Sequence, residues 1–205
     1  MFDFLSKQES ENWRKGFTSI KMQDPGTLME NRWHSMDEYL ADGNKKDRQH
    51  YKRTLREAEK LGITVERHAK VEDVESALKL IDNVDKRYGN PPNPWMRPML
   101  KNLEMIDGVW LEARQHGKLV GCGALLLDNE TQLTTALGLA EDVPYAYLML
   151  GYASLEEAFT RKVRALRWGS GAYEVKQNLG FTPEDNNYIT LAGTNLLTKA
   201  AARFA

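Results

Sequence analysis

Residues 119–127, LVGCGALLL, constrain the fold of this chain more than any other stretch. They form a nearly continuous apolar run with a turn on each side, Gln115-His116-Gly117-Lys118 before it and Asp128-Asn129-Glu130 after it. Such a run reads as a strand covered on both faces. Its neighbours, residues 109–114 and 131–139, also read as strands. Connections this short join antiparallel strands, because a parallel return needs a crossover of about a dozen residues or more. The expected centre of the fold is therefore a three-strand antiparallel meander.

Helices are expected around it. Residues 35–61 carry apolar positions at helical spacing, with Ser35 and Glu38 as a capping box, Gly43-Asn44 as an interruption and Gly62 as the stop. A short β-branched strand follows at Ile63-Thr64-Val65. Residues 72–88 form a second helix and residues 95–105 a third. The loop at 89–94 between them holds three prolines, which exclude helix and central strand. A long helix at 145–165 makes a crossover that should lay a strand at 166–168 parallel to and beside the strand at 131–139. One or two helical turns at 173–179, closed by Gly180, and a strand at 188–191 complete an α+β order. Residues 1–34 read only as a short amphipathic piece and a turn at Gln23-Asp24-Pro25-Gly26-Thr27. They are expected to be an N-terminal extension, or the remnant of a preceding domain, ahead of one domain at 35–205.

Composition excludes several classes. Lys plus Arg number 28 against 29 Asp plus Glu, a net charge of −1, so no global positive field advertises nucleic-acid binding. One cysteine, Cys122, rules out an intrachain disulfide and a multi-cysteine zinc site, and it reads as a buried small hydrophobe. His34, His50, His68 and His116 show no metal-ligand spacing, so no metal is expected. No run reaches the ~18 apolar residues of a membrane span, and the start lacks a signal-peptide pattern. A cytoplasmic location is the expectation.

Three stretches resemble a known group. RQHYKRTLREAEKLGITVER (48–67) resembles the segment of FemAB-like and CelD-like acyltransferases in which a basic helix runs into a Lys-x-Gly-Ile/Val strand. LRWGSGAYEVKQNLGFTPE (166–184) resembles that group's closing signature, a strand ending in Gly-x-Gly, then Tyr-x-x-Lys and Leu-Gly-Phe. DGVWLEARQHGKLVGCGALLL (107–127) resembles the hairpin of the wider GNAT fold. The resemblance spans roughly residues 35–195. It implies a GNAT-like mixed sheet flanked by helices and an N-acyltransferase that moves an acyl or aminoacyl group to an amine. The donor would be acyl-CoA, acyl carrier protein or aminoacyl-tRNA, with no tightly bound cofactor. The alternative is a non-catalytic GNAT-shaped module, or half of a two-domain enzyme. Two departures stand out. Acetyl-CoA-dependent members carry a glycine-rich loop whose N–H groups hold the pyrophosphate at a helix N-terminus. The matching stretch here, residues 139–152, lacks it and carries Glu141 and Asp142, so acetyl-CoA should bind poorly. FemAB-like relatives also pair two such domains, and this chain has room for one.

The resemblance assigns Lys176 as the cation that stabilises the tetrahedral oxyanion of acyl transfer. Tyr173 lies beside it at i and i+3 on one helical face. Gly169, Ser170 and Gly171, at a strand-to-helix junction, are the donor-binding turn. Trp95, Asn93 and Tyr88, around the proline loop, are the acceptor wall for an amine-bearing small molecule or peptide. The general base is open among Glu141, Asp142 and Tyr173. The stretch Lys45–Lys60 holds seven cations against three acids, a local charge of +4 on a near-neutral chain. It reads either as a solvated helix or as a cradle for tRNA phosphates or an anionic acceptor. A homodimer or a partner domain is a further expectation.

Overall fold

The apolar run becomes the middle strand of a covered sheet, and the rest of the fold is arranged to cover it. The computed structural model describes residues 2–12, 16–21, 24–90, 93–128 and 130–193. In chain order the elements are β1 (Phe2–Leu5), α1 (Lys7–Asn12), β2 (Phe17–Lys21), β3 (Thr27–Glu30), α2 (Met36–Asp42) and α3 (Lys45–Lys60). Next come β4 (Ile63–His68), α4 (Val74–Tyr88), α5 (Met96–Lys101), a 3-10 turn at Leu103–Ile106, β5 (Val109–Gln115), β6 (Lys118–Leu127) and β7 (Thr131–Leu139). The chain continues with α6 (Ala146–Arg161), β8 (Ala165–Trp168), α7 (Tyr173–Asn178), β9 (Thr182–Pro183) and β10 (Tyr188–Ala192). Two compact units arise: one from Met1–Met29 with Arg167–Ala205, the other from Glu30–Leu166.

In the second unit β4, β5, β6 and β7 pair antiparallel in sequence order, and β8, which starts here at Ala165, stands next to β7. The expected meander is present with bounds within a residue. Both faces are covered. On one, Trp110, Cys122, Ala124 and Ala136 pack with Ala77 and Ile81 of α4 and Leu100 of α5. On the other, Leu111, Ala113, Val120 and Leu125 pack with Ala146 and Leu150 of α6. Burial on both sides is why β6 is apolar almost throughout instead of alternating. Between Cys122↔Gly138 and Ala124↔Thr135, β7 spends one more residue than β6, a bulge marked by Ala136 at φ +53°. A Cβ on Gly138 would stand 2.6 Å from Cys122 Sγ and 2.8 Å from the Ile81 backbone nitrogen, so α4 approaches β7 as closely as it does only over a glycine.

Gly43-Asn44 separates two helices, and the capping differs from expectation. Ser35 Oγ accepts from Glu38 N–H, but Glu38 reaches back to His34 N–H, so the reciprocal box is absent there. It occurs instead at α3, where Asn44 Oδ1 accepts from Asp47 N–H and Asp47 accepts from Asn44 N–H. Gly62 ends α3 at φ +65°, in the left-handed region that glycine enters without a Cβ penalty. The helix expected at 95–105 splits into α5 and the 3-10 turn.

In the first unit β10 pairs antiparallel between β1 and β2, with Thr190 opposite Ser19 and their hydroxyls 3.1 Å apart. β3 pairs antiparallel with β9 through Leu28↔Thr182. Residues 1–34, expected as an extension, thus supply three strands. Gln23 of the expected turn, Pro91 and Pro92 of the proline loop and Asn129 of the second hairpin lie outside the described residues. Among the described residues no helix is long and apolar enough to cross a membrane.

Candidate functional site

The closing signature folds into a tight corner within the first unit. Along β8, Leu166 and Trp168 are buried while Arg167 turns outward to pair with Glu184 at 3.1 Å. The chain then turns through Gly171 at φ +79° and Ala172 at φ +47° into α7. Phe181 stacks on Trp168 with ring centroids 4.5 Å apart, and its N–H closes on the Lys176 carbonyl. Pinned this way, α7 aims Lys176 back at the strand end. Its Nζ donates to the carbonyls of Gly169 at 2.5 Å and Ser170 at 3.1 Å, and it lies 6.0 Å from the centre of the Tyr173 ring. Tyr173 Oη donates to the Pro25 carbonyl at 2.7 Å.

The structure thus brings Lys176, Tyr173, Gly169 and Ser170 together. Lys176 is only 5% exposed. Burial lowers its pKa from the usual lysine value to about 8, because desolvation penalises the ammonium form. Burial raises the Tyr173 phenol. An un-ionised, donating Tyr173 is a poor general base at neutral pH; the other two candidates are Glu141 and Asp142.

Those two and the remaining candidates belong to the second unit. Glu141 and Asp142 are exposed in the turn between β7 and α6, with Asp142 at φ +57°. Tyr145 precedes α6 at φ +69° and makes no side-chain capping bond. The helix entry therefore carries two carboxylates where the resemblance leads one to expect a glycine loop. Tyr88 and Trp95 are exposed at 60% and 76%, and Asn93 Oδ1 accepts from Trp95 N–H.

One polar cluster was missed from sequence. Antiparallel pairing sets Glu66 of β4 opposite Glu112 of β5, and His68 opposite Trp110. Glu112 is buried. It accepts from Trp110 Nε1 at 2.9 Å and from both Arg114 Nε and Nη2, at 3.0 and 2.6 Å. His68 Nε2 lies 3.5 Å from Glu66 and 3.8 Å from Glu112. The three residues bring ligand-type atoms within 4.8 Å of one another. Arg114 already holds the Glu112 oxygen that faces His68, so the arrangement is that of an ion-pair cluster. Only the pairing register could have shown it, since the residues are spread over 47 positions of sequence (66 to 112). Asp107 pairs with Arg161 at 3.0 Å. Cys122 is fully buried, and burial pushes its thiol up to about 12, which suits packing and not nucleophilic chemistry.

No family model matches the chain, and no curated protein matches it in sequence. Solved structures do. The chain is similar to the C-terminal DUF2156 domain of a protein assigned as a lysylphosphatidylglycerol synthetase from Agrobacterium fabrum, with a TM-score of 0.59 at 12% identity, over 96% of this chain and 67% of that one. It is similar to a GCN5-related N-acetyltransferase from Kribbella flavida, with a TM-score of 0.50 at 15% identity, over 88% and 61%. An acetyltransferase from Clostridium acetobutylicum, itself assigned by prediction and solved with acetyl-CoA, matches with a TM-score of 0.51 at 13% identity, over 66% of this chain and 97% of that one. At these identities the likeness shows the fold, a GNAT-like mixed sheet flanked by helices. The chain spans about two thirds of the Agrobacterium domain and less of the Kribbella protein.

Proposed function

We propose that this chain is an N-acyltransferase of FemAB-like or CelD-like type, moving an acyl or aminoacyl group from a thioester or ester donor to an amine. The amine nitrogen attacks the donor carbonyl carbon, and a tetrahedral oxyanion forms. The C–S or C–O bond then breaks, and the leaving thiol or hydroxyl ends with the proton that the amine gives up. The observation that carries this reading is the buried Lys176 cation, held at a strand-to-helix corner in a GNAT-like fold. An ammonium has three N–H donors. Two are spent on the Gly169 and Ser170 carbonyls, and the third, which has no acceptor among the described residues, can turn to a developing oxyanion. The same two bonds favour a second reading, a GNAT-shaped module in which Lys176 only ties the corner together.

A transfer assay with acetyl-CoA, longer acyl-CoAs, acyl carrier protein thioesters and aminoacyl-tRNA against an amine panel separates the two. Turnover with one donor is expected, with acetyl-CoA poor because Glu141 and Asp142 repel a pyrophosphate. Lys176→Ala should then lower kcat by ~10²–10³ while KM changes little, as for other single oxyanion donors. Lys176→Arg should rescue little, since a planar guanidinium does not replace a buried point charge. Silence with every donor returns the chain to the binding module, while a Lys176→Ala variant at full rate removes Lys176 from the catalytic site and leaves the transferase reading without it. Micromolar acetyl-CoA affinity by calorimetry would make it a conventional acyl-CoA enzyme.

A further inference from the structure

We propose that the outward face of α3 is a docking surface for the phosphate backbone of a nucleic acid. The inference is independent of the transfer chemistry, since it needs no reaction to occur. Lys45, Lys52, Arg56 and Lys60 recur at i, i+7, i+11 and i+15, which places them on one side of a 16-residue helix, and Lys46 and Arg53 flank that line. All six are exposed. Lys45, Lys46, Lys52 and Arg53 make no ion pair among the described residues, while Arg56 and Lys60 share Glu57 at 3.3 and 3.1 Å. The seventh cation, Arg48, is turned away and caps the Leu40 and Gly43 carbonyls.

This stripe works against its own helix. Lys45 and Lys46 occupy the first turn, where the helix dipole disfavours positive charge. Lys52 with Arg56, and Arg56 with Lys60, are like charges at i,i+4, the spacing at which they repel. Local choices that oppose the element they sit in point to a role outside it, and an extended polyanion removes every one of these penalties. The chain as a whole carries −1, so the positive field belongs to this stripe and not to the protein at large.

The opposite face selects the partner. Ala58 and Thr54 are buried, and Tyr51 meets Tyr152 edge-on at 4.7 Å. A helix that lies in a membrane surface presents its apolar face to lipid. Here that face is spent on the protein except for Leu55, 37% exposed at its edge, and the outward face carries charge, with the acid Glu59 among its cations. A phosphate backbone needs only the charge.

The test uses the full chain and a fluorescein-labelled 20-mer hairpin made as RNA and as DNA, read by anisotropy at 50 to 300 mM salt. Binding to either hairpin is expected, with log K falling against log salt at a slope of about −3 to −4, which is ~0.7 to 0.9 per neutralised phosphate for four to five contacts. The triple variant K52E/R53E/R56E should bind at least ~10-fold more weakly and with a shallower slope. A control reversal on other exposed lysines, K79E/K86E/K101E, should bind like wild type, and circular dichroism should show both variants folded. The proposal is overturned if wild type binds neither hairpin at 50 mM salt, or if the control loses as much as the stripe variant. It is also overturned if vesicles of phosphatidylcholine with about 30% phosphatidylglycerol compete at equal phosphate concentration.

Discussion

Lys176 carries the most information at the scale of a single residue, because its environment leaves a thermodynamic trace that does not depend on any substrate. Its pKa is near 10.5 when exposed and about 8 in the fold. Between those values the unfolded chain binds more protons than the folded one, so this group makes stability rise with pH in that interval. Cys122, pushed up from about 9 to about 12, acts in the opposite direction above pH 9, and Tyr39, Tyr147 and Tyr152, all raised by burial, do so above pH 10. The clean window is pH 8 to 9. Urea unfolding there should give a free energy that climbs with pH for wild type and stays flat for Lys176→Met. Parallel curves would mean that Lys176 is solvated. The sequence motif indicated that Lys176 and Tyr173 share a face. It did not indicate that the Gly169 and Ser170 carbonyls would take two of the lysine donors, since that depends on the positive φ at Gly171 and Ala172, and alanine gives no local warning of it.

Among the elements, β7 and α3 make the sharpest predictions. Gly138→Ala should destabilise by about 1–3 kcal/mol, the usual cost of overpacking, read as a lower midpoint in denaturant. Adding Cys122→Ala removes the sulfur but leaves the Ile81 backbone nitrogen in place, so the double variant should recover little. A full recovery would mean that only the thiol was in the way. Asn44→Ala should cost about 1 kcal/mol, because it removes the reciprocal cap of a 16-residue helix. Ser35→Ala should cost less, since one bond is lost there and α2 is short. The meander was legible from sequence because burial on both faces and short turns leave one solution. The strands β1, β2, β3 and β9 were not. They have two to five residues each, and their partners lie about 150 or more positions away, so no local period announces them. The ion-pair cluster of Glu66, His68, Glu112 and Arg114 was hidden for the same reason, since pairing register makes it and not spacing. The basic character of α3 was visible, but which cations face outward became clear only with the burial of Ala58 and the capping role of Arg48.

At the scale of the whole molecule, two distant stretches of chain make one unit, while the meander is built from a single continuous stretch. A variant lacking residues 2–21 deprives β10 of both partners. In hydrogen exchange the amides of 188–190 should lose protection, while those of β5 and β6, whose pairings lie within Glu30–Leu166, should keep theirs. Loss of protection in both places would show that the two units fold as one. The same layout sets a timetable during synthesis. A ribosome adding ~5–20 residues per second needs on the order of 10–30 s to pass from Lys21 to the Thr190 that pairs with Ser19. For that interval the nascent β2 has no native mate, while the meander strands emerge one after another with partners at hand. Any chaperone that attends this chain on the ribosome has its clearest work at β1 and β2, which are made long before the strand they pair with.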